Sequence, residues 1–509
     1  MQWYRETVWI DTPAGHATEQ ATVEGRIAPP ATQPAVEEVL MLDARAVHLS
    51  AEPMNERVML EGRIFFNVLY AGAGSTWAFE SSATFKHGMD MAGLEAGARC
   101  RAQVGIAGIE YTLEAGVLNV RAAVNIDCQA TLKKEIELFT NAEDTGDVQM
   151  LSDTGDFAST VDTMHSSMLL RDEVMIAQGL PACERILHTG AWPSVQRVYC
   201  EDGKMVVEGD VYVTTTYLCS DPAAPLQQRS YTLPFAHMIM MRDVKEGMQG
   251  CAWADVAEIY AQTAGGAEGE ARAFSYEIVL DMEAEAYQMR QINMVSDVYS
   301  PTRVLAVERA DVEMLTPRLS CGAQAMYQGA VGHGGAERGL RVLSAYANPM
   351  IAGVECIKNK VTIEGVAFVH AICIDREGKL APLDVQLPFS LEVDGAGCTK
   401  DMAIGVILHA TQTQAQFKGD EVEIKLSFWY SLFASAAVGM SLLTGVTMTG
   451  EPVEPMAGIT VYFAEPGEKL WSIAKRYATT IEAIKKANPS ITDNELPEGS
   501  RLILYRPGA

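Results

Sequence analysis

The sequence predicts a mainly β protein with three repeated antiparallel β domains followed by a small βααβ module. Three observations predict this fold class. A set of landmark residues occurs three times at nearly fixed spacing, long stretches alternate apolar and polar residues, and the last fifty residues change to helical spacing. A chain of 509 residues has room for three or four domains.

The repeat is marked by an apolar–Glu-Gly phrase with two flanking landmarks. The phrase reads RVMLEG at 57–62, KMVVEG at 204–209 and KVTIEG at 360–365. A leucine precedes each glutamate by 21 residues, and a phenylalanine follows it by 24 to 27 residues. Such recurrence predicts one domain used three times. The leucines are Leu40, Leu187 and Leu343, and the phenylalanines are Phe85, Phe235 and Phe389.

Each phrase opens a long alternating stretch, which predicts a half-buried antiparallel strand. The glycine of the phrase falls on the apolar face each time, so we expect a bulge, a tight bend or a close backbone there. The preceding glutamate faces outward as a surface carboxylate. A second alternating strand is predicted late in each repeat, at Val117–Cys128, Ala273–Tyr287 and Glu421–Phe433.

These patterns predict a domain organisation. We expect an N-terminal extension at 1–30, with a possible extra strand through Thr7–Ile10. The β repeats are predicted at 31–142, 166–316 and 317–449. Residues 143–165 are polar and rich in Gly and Asp, which is typical of a linker. A short tether at 450–458 then leads to the module at 459–508.

The module at 459–508 has a strand–helix–helix–strand pattern. Residues 459–464 and 501–505 are predicted strands, and apolar residues at helical spacing predict two short helices between them. Pro466-Gly467 ends the first strand, and Asn488-Pro489 ends the second helix. Apolar residues here, including Trp471, Ile473 and Tyr477, are expected mainly to form a core.

This module resembles a LysM domain. The residues that match the family pattern are Tyr462, Pro466-Gly467-Glu468, Leu470-Trp471-Ser472-Ile473-Ala474, Tyr477, Ile484, Asn488, Leu496, Gly499 and Leu502. One departure is Glu468-Lys469, where the family usually has Asp-Thr.

The LysM resemblance implies a shallow groove that binds glycan containing N-acetylglucosamine. Loop backbone groups would hydrogen-bond acetamides, and small apolar side chains would accept the methyl group. Some LysM domains bind proteins instead, so a protein ligand remains an alternative. By position, the implied groove consists of Pro466, Gly467, Glu468, Lys469 and Leu470 on one side and of Asn488, Pro489, Ser490 and Ile491 on the other.

The charge and the cysteines limit the possible partners and compartment. The formal net charge is −27; residues 459–509 hold seven Lys/Arg and six Asp/Glu, so the remaining 458 residues carry −28. Such a surface does not attract nucleic acid or anionic membranes. The start of the chain lacks a basic segment followed by an apolar run, and no 18-residue apolar stretch appears, so we expect no signal peptide and no transmembrane segment. Ten scattered cysteines are expected to be free thiols in a reducing cytosol.

The sequence lacks the common signatures of catalysis. It contains no G-x-x-x-x-G-K-[ST] phosphate loop, no H-E-x-x-H zinc helix and no G-x-S-x-G nucleophile elbow. The nine histidines do not cluster, and the Gly-rich runs at 264–269 and 332–335 are interpreted as loops. We therefore expect no enzyme activity, no catalytic residues, no metal and no cofactor.

The triple repeat followed by a LysM domain resembles the SPOCS-domain spore-coat morphogenetic proteins. The Glu-Gly phrase and Ser296-Asp297-Val298-Tyr299-Ser300 show this likeness. The resemblance implies a protein of the mother cell that attaches the coat to the forespore surface. Its implied partners are the coat basement-layer ATPase and other coat proteins, with peptidoglycan as a further possible ligand. The alternatives are a cell-wall protein that binds peptidoglycan and uses the β domains as spacers, and a hydrolase targeted by its LysM domain.

Overall fold

The computed structural model describes residues 2–265, 270–333, 339–453, 458–465, 467–491, 493–496 and 500–506. The described chain is almost entirely antiparallel β structure, with two short helices near the end. The fold class predicted from the sequence is therefore confirmed. No helix within those ranges is long and apolar enough to cross a membrane.

The first repeat contains six strands. They are β1 Gln2–Ile27, β2 Glu38–Met54, β3 Arg57–Gly72, β4 Ser75–Asp90, β5 Arg99–Glu114 and β6 Val117–Glu143. They form two three-stranded sheets, in the orders β2-β3-β4 and β1-β6-β5. The apolar faces of the two sheets pack against each other, because alternate residues of each strand point into one shared core.

The other two repeats have the same plan. The second uses β7 Gln149–Met175, β8 Arg185–Glu201, β9 Lys204–Leu218, β10 Leu226–Met240, β11 Gln249–Ala264 and β12 Ala273–Tyr299. The third uses β13 Arg303–Leu315, β14 Leu319–Gly332, β15 Arg341–Ile357, β16 Lys360–Ile374, β17 Leu380–Asp394, β18 Ala403–Lys418, β19 Glu421–Ser435 and β20 Ala437–Pro452. Sheets β8-β9-β10 and β11-β12-β7 enclose the second core, and sheets β15-β16-β17 and β14-β19-β18 enclose the third.

The landmark glycine and phenylalanine of each repeat are cross-strand partners. Gly62 pairs with Phe85, Gly209 with Phe235, and Gly365 with Phe389. The ring lies over the glycine, so a Cβ added there would meet Phe Cζ at 2.5, 2.8 and 2.7 Å respectively. On the other side of each glycine, the neighbouring strand has a β-bulge. Both a bulge and a close approach, which the sequence predicted as alternatives, are therefore present.

The first and last strands of each repeat along the chain extend beyond its core as a two-stranded ribbon. The three ribbons are the pairs β1–β6, β7–β12 and β13–β20, and we call their assembly the stalk. In the third repeat the ribbon is separated from the domain at 316–318, where Pro317 cannot donate a backbone hydrogen bond to the ladder. Residues from all three ribbons form the stalk core: Val8, Ile10, Leu138, Phe157, Ala158, Ile292, Met314 and Leu442.

The three landmark leucines mark the centre of the molecule. Leu40, Leu187 and Leu343 belong to one cluster in which residues from all three repeats meet. Next to this cluster lies a cavity of about 1260 Å³ that is also lined by all three repeats. The three domains are therefore packed around a common centre rather than arranged as separate beads.

Three expectations about the chain's organisation need correction. Residues 149–165 are not a linker, because they lie in β7 and pair with β12 along its length. Ser152, Asp153, Thr154 and Asp156 are exposed, while Phe157 and Ala158 enter the stalk core. Thr160 is buried and donates a hydrogen bond to Asp11. Residues 2–27 likewise form one strand that pairs with β6 and completes the first repeat, so they are not an extension. Only residues 144–148 and 300–302 separate the repeats. The second and third repeats are likewise separated at 300–302 and not at 316/317, because β13 pairs with β20 of the third repeat. The remaining boundaries stay predictions.

Candidate glycan- and partner-binding site

The final module has the predicted strand–helix–helix–strand order. It consists of β21 Gly458–Phe463, α1 Leu470–Arg476, α2 Ile481–Ala487 and β22 Arg501–Arg506. The two strands pair antiparallel, and both helices cover one face of this small sheet. Thr480 caps α2 through a hydrogen bond from the Ala483 N–H to Thr480 Oγ1 (3.1 Å). The module core contains Leu470, Trp471, Ile473, Ala474, Ile484, Leu496, Leu502 and Leu504.

The first predicted groove loop runs from 466 to 470. Pro466 lies outside the described residues. Gly467 has φ +75°, which only glycine adopts without strain. The Glu468 carboxylate is turned inward: it accepts hydrogen bonds from Tyr462 Oη (3.0 and 2.9 Å) and pairs with Arg476 (3.2 Å). Lys469 is exposed, whereas the Leu470 side chain is fully buried, so Leu470 offers only its backbone to this surface.

The second predicted groove loop runs from Asn488 to Ile491. Asn488 is buried and bridges α2 to β22: its Nδ2 donates to Ile484 O (2.8 Å) and Ile503 O (2.8 Å), and its Oδ1 accepts from the Ile503 N–H (2.7 Å). These contacts give Asn488 a structural role in shaping the loop. Pro489 and Ser490 are exposed, and Ile491 is half-buried against the core.

The first loop is joined by backbone hydrogen bonds to a segment that the sequence analysis did not include. The Leu470 N–H donates to Asn494 O (2.8 Å), and the Leu496 N–H donates to Glu468 O (3.1 Å). Lys469 and Glu495 form an isolated antiparallel bridge. Asn494 and Glu495 are exposed beside Lys469, so they belong to the same surface. No sequence signal marked them, because the contact depends on how the chain returns after α2.

The exposed groove surface is therefore smaller and more mixed in charge than predicted. Lys469, Pro489 and Ser490 present side chains to solvent, with Glu495 beside the lysine. Such a surface has backbone amides, a small hydroxyl and an apolar ring, which are groups that suit the acetamide and hydroxyls of an amino sugar.

The opposite face of the small sheet is a second candidate surface. Large apolar side chains occupy it at alternate positions on both strands, and neither α1 nor α2 covers it. An exposed apolar cluster of this kind on a small domain is typical of an interface with another protein. The exposed residues are Ile459 (70%), Val461 (43%), Phe463 (66%), Ile503 (41%) and Tyr505 (53%).

The described residues contain no cluster of metal ligands and no fully exposed thiol. No group of three or more His, Cys, Asp or Glu in the described part of the chain is arranged to hold a metal. All ten cysteines are free and either buried or half-buried. Burial raises the pKa of the Cys398 thiol to about 11, so this group stays protonated and unreactive at neutral pH.

The central cavity contains ionisable side chains from all three repeats. Desolvation alone would raise the pKa of Asp43, but the nearby His188 imidazole (3.7 Å) and a hydrogen bond from Asn348 lower it. Asp255 has a raised pKa because burial outweighs its attraction to nearby arginines. Burial also lowers the pKa of His409 to about 4. The cavity therefore contains both charged and neutral groups, and their balance depends on pH.

Comparison with known protein families identifies two kinds of domain. The family model described as SipL, SPOCS domain matches residues 35–114 and 183–263. These ranges cover β2–β5 and β8–β11, which are equivalent parts of the first two repeats. The LysM domain model matches residues 464–504. No curated protein and no solved structure matches the chain.

Both kinds of domain are non-catalytic binding domains. The SPOCS match confirms the resemblance drawn from the Glu-Gly phrase, and the LysM match confirms the one drawn from the last fifty residues. The chain therefore contains two SPOCS domains of the SipL type and a LysM domain, the domain content of a sporulation-related coat protein with a peptidoglycan-binding module.

Proposed function

We propose that this chain is a non-catalytic scaffold in endospore coat assembly. Its LysM domain docks onto the coat basement-layer ATPase, onto cortex glycan, or onto both. The observation that carries the proposal is that the LysM domain exposes two different surfaces at once, the groove loops and the apolar sheet face. A single-ligand module would need only one of them.

The groove loops suit the glycan. The exposed Lys469, Pro489 and Ser490, with Glu495 beside the lysine, offer a cation, an apolar ring, a hydroxyl and a carboxylate, which are groups that suit the hydroxyls and acetamides of a sugar chain. This half of the proposal assigns the peptidoglycan contact to Gly467, Lys469, Pro489 and Ser490. Glu468, Leu470, Asn488 and Ile491 then support the loops from beneath.

The apolar sheet face suits the protein partner. Phe463 and Ile459 each keep about two thirds of their surface in contact with water, which is unfavourable unless another protein covers them. Aromatic residues in such a position are frequent hot spots of binding energy. We assign the ATPase contact to this face.

The β domains would contribute further coat-protein contacts. Each repeat exposes edge strands, and several weak contacts on one chain raise the effective concentration of every other contact. The free thiols are consistent with assembly in the reducing cytosol of the mother cell, at the forespore surface.

The test uses the full-length chain in two capture assays, one with purified peptidoglycan and one with lysate from sporulating cells. Phe463→Ser should weaken ATPase capture at least tenfold and leave glycan retention within twofold. Lys469→Glu should have the opposite effect. Met326→Ser and Lys400→Glu are matched controls, since both residues are exposed on the third repeat.

The two assays also discriminate between readings. Glycan retention without ATPase capture would support the alternative, a cell-wall protein that uses its β domains as spacers. Retention of neither ligand by the unaltered chain would refute the proposal.

A further inference from the structure

The LysM domain is packed against the tip of the stalk through one side of α1. Asp297, near the end of β12, accepts hydrogen bonds from Trp471 Nε1 (2.8 Å) and Lys475 Nζ (2.7 Å). Arg309 of β13 also contacts this carboxylate (3.0 Å). The Asp297 side chain is 18% exposed, so these are charge-assisted contacts in a largely dry junction.

Tyr299 extends the same junction. Its hydroxyl donates a hydrogen bond to the carbonyl oxygen of Thr479 (2.8 Å). Thr479 follows α1 and the turn at its end. The Tyr299 ring meets the Trp471 ring edge-to-face at 4.9 Å. Tyr299 and Leu151 of the stalk are part of the same apolar cluster as the LysM core. The stalk therefore continues the LysM core rather than merely touching its surface.

This junction leaves both candidate binding surfaces uncovered. Lys469, Pro489 and Ser490 in the groove loops remain exposed in the whole chain, and so do Ile459 and Phe463 on the sheet face. The side of α1 that carries Trp471 and Lys475 is the side taken by the stalk. The docking thus uses a third surface of the module.

We propose that Asp297 and Tyr299 are positioning residues that clamp the LysM domain in one orientation on the stalk. The segment Ser296–Ser300 acts as a built-in receptor for the Trp471–Lys475 side of α1. If the LysM domain has the proposed function, the clamp holds its groove and its apolar face at a fixed place relative to the three β domains. The spacing between the binding sites of the chain is then fixed, which favours simultaneous binding to one coat surface more than a flexible tether does.

The experiment places a specific protease site between Pro452 and Gly458 of the full-length chain. After cleavage, the LysM fragment is held to the body by noncovalent contacts that include the clamp. Gel filtration of the cut protein over a dilution series gives the dissociation constant of this contact. A clamp with a dissociation constant below about 1 μM co-elutes when the cut protein is loaded at about 10 μM.

Three variants make the test specific. Asp297→Ala should weaken the contact at least tenfold, because it leaves Lys475 and the Trp471 N–H without their acceptor. Lys475→Ala, made on the LysM side, should weaken it in the same direction. Asp153→Ala is the matched control, since Asp153 is an exposed carboxylate on the adjacent strand β7, and it should leave the constant unchanged.

Separation of the cut, unaltered chain at about 10 μM would overturn the clamp. Unchanged co-elution of Asp297→Ala would also overturn it. A positioning role further requires that uncut Asp297→Ala binds peptidoglycan within twofold of the unaltered chain. These outcomes are independent of the proposed function, which is judged by whether the uncut, unaltered chain captures the ATPase.

Discussion

Replacing Gly365 with alanine should destabilise the third repeat by about 2–3 kcal/mol. The added Cβ would lie 2.7 Å from Phe389 Cζ and even closer to the carbonyl oxygen of Met350. The ring can move, but the carbonyl cannot without disturbing the β15–β16 ladder beside the bulge. Both neighbours lie on opposite sides of the same strand, so relief toward one worsens the contact with the other.

The magnitude follows from two opposing effects. Overpacking of this kind in a core typically costs about 1–3 kcal/mol, and displacing backbone places it at the upper end. Alanine also restricts the unfolded chain, which returns about 0.4–1 kcal/mol at a position without steric conflict. Gly353→Ala isolates the second effect, since Gly353 lies in β15 with open space around it. We therefore expect Gly353→Ala to be neutral or slightly stabilising.

Hydrogen exchange of the β16 amides measures the difference directly. An opening free energy lower by about 2–3 kcal/mol accelerates exchange roughly 30- to 150-fold in Gly365→Ala. If Gly365→Ala exchanges like Gly353→Ala, the proposed steric role of the landmark glycine is wrong. Gly62→Ala provides a further comparison: its nearest backbone atom, Val47 O, would lie at 3.1 Å, so its cost should be smaller, about 1 kcal/mol.

Three further predictions concern the cavity, the groove and the clamp. Because burial lowers the pKa of His409 to about 4, the unfolded chain takes up a proton first as the pH falls, and His409 should reduce the free energy of unfolding by up to about 3 kcal/mol between about pH 6.5 and 4. Urea midpoints at pH 7.5 and 5 should therefore differ less in His409→Gln than in the unaltered chain; equal differences in the two would contradict the assignment. Asn488→Ala removes three buried hydrogen bonds to the backbone, so it should destabilise the LysM domain by about 2–3 kcal/mol, measured by hydrogen exchange of the β22 amides. If it has no larger effect than Ser490→Ala, the structural role of Asn488 is wrong. Desolvation tends to raise the pKa of Asp297, but hydrogen bonds from LysM outweigh it and lower the pKa, so co-elution of the cut chain should persist at pH 5 and fail only in stronger acid; loss already at pH 5 would count against the clamp.

Local patterns in the sequence were sufficient to predict the domains, because each pattern reflects a local constraint. Leu40, Gly62 and Phe85 recur since each occupies a crowded position. Leu40 lies in the central cluster, Gly62 lies opposite the bulge of the neighbouring strand, and the Phe85 ring lies over Gly62. Period-two alternation revealed the strands for the same reason. The fold class and both kinds of domain followed from such signals.

The stalk was not predicted from the sequence because a two-stranded ribbon needs few apolar residues. In β7, residues 151–156 are polar or glycine except Leu151, which is the composition of a linker. Their pairing partners in β12 lie about 140 residues further along the chain, as in the contact between Thr154 and Asn293. Composition reports local preference, and it does not report pairing at that distance.

The groove was predicted less well because positions in a loop do not reveal side-chain direction. Leu470 and Asn488 match the family pattern, yet their side chains are used inside the domain. Asn494 and Glu495 were missed although they lie next to Lys469. The pattern of a small domain mixes residues that build the fold with residues that contact a ligand, and only the three-dimensional contacts separate them.

The clamp also explains why the LysM domain docks at the end of one ribbon although the three repeats are similar. The chain passes from repeat to repeat at the stalk tip, through 144–148 and 300–302, and it enters the LysM domain from the end of β20 at the same tip. Three equivalent ribbons would offer the LysM domain three equivalent docking sites. Asp297 and Tyr299 at the end of β12 select one of them through contacts that need both a carboxylate and an aromatic hydroxyl. Moving this pair to the end of β6, with Asp297→Ala and Tyr299→Phe in β12, should transfer LysM contacts to the first ribbon. Cross-linking of Lys475 to neighbouring carboxylates would detect that transfer. An unchanged cross-link pattern would show that the tether, and not the Asp–Tyr pair, determines which ribbon the LysM domain docks on.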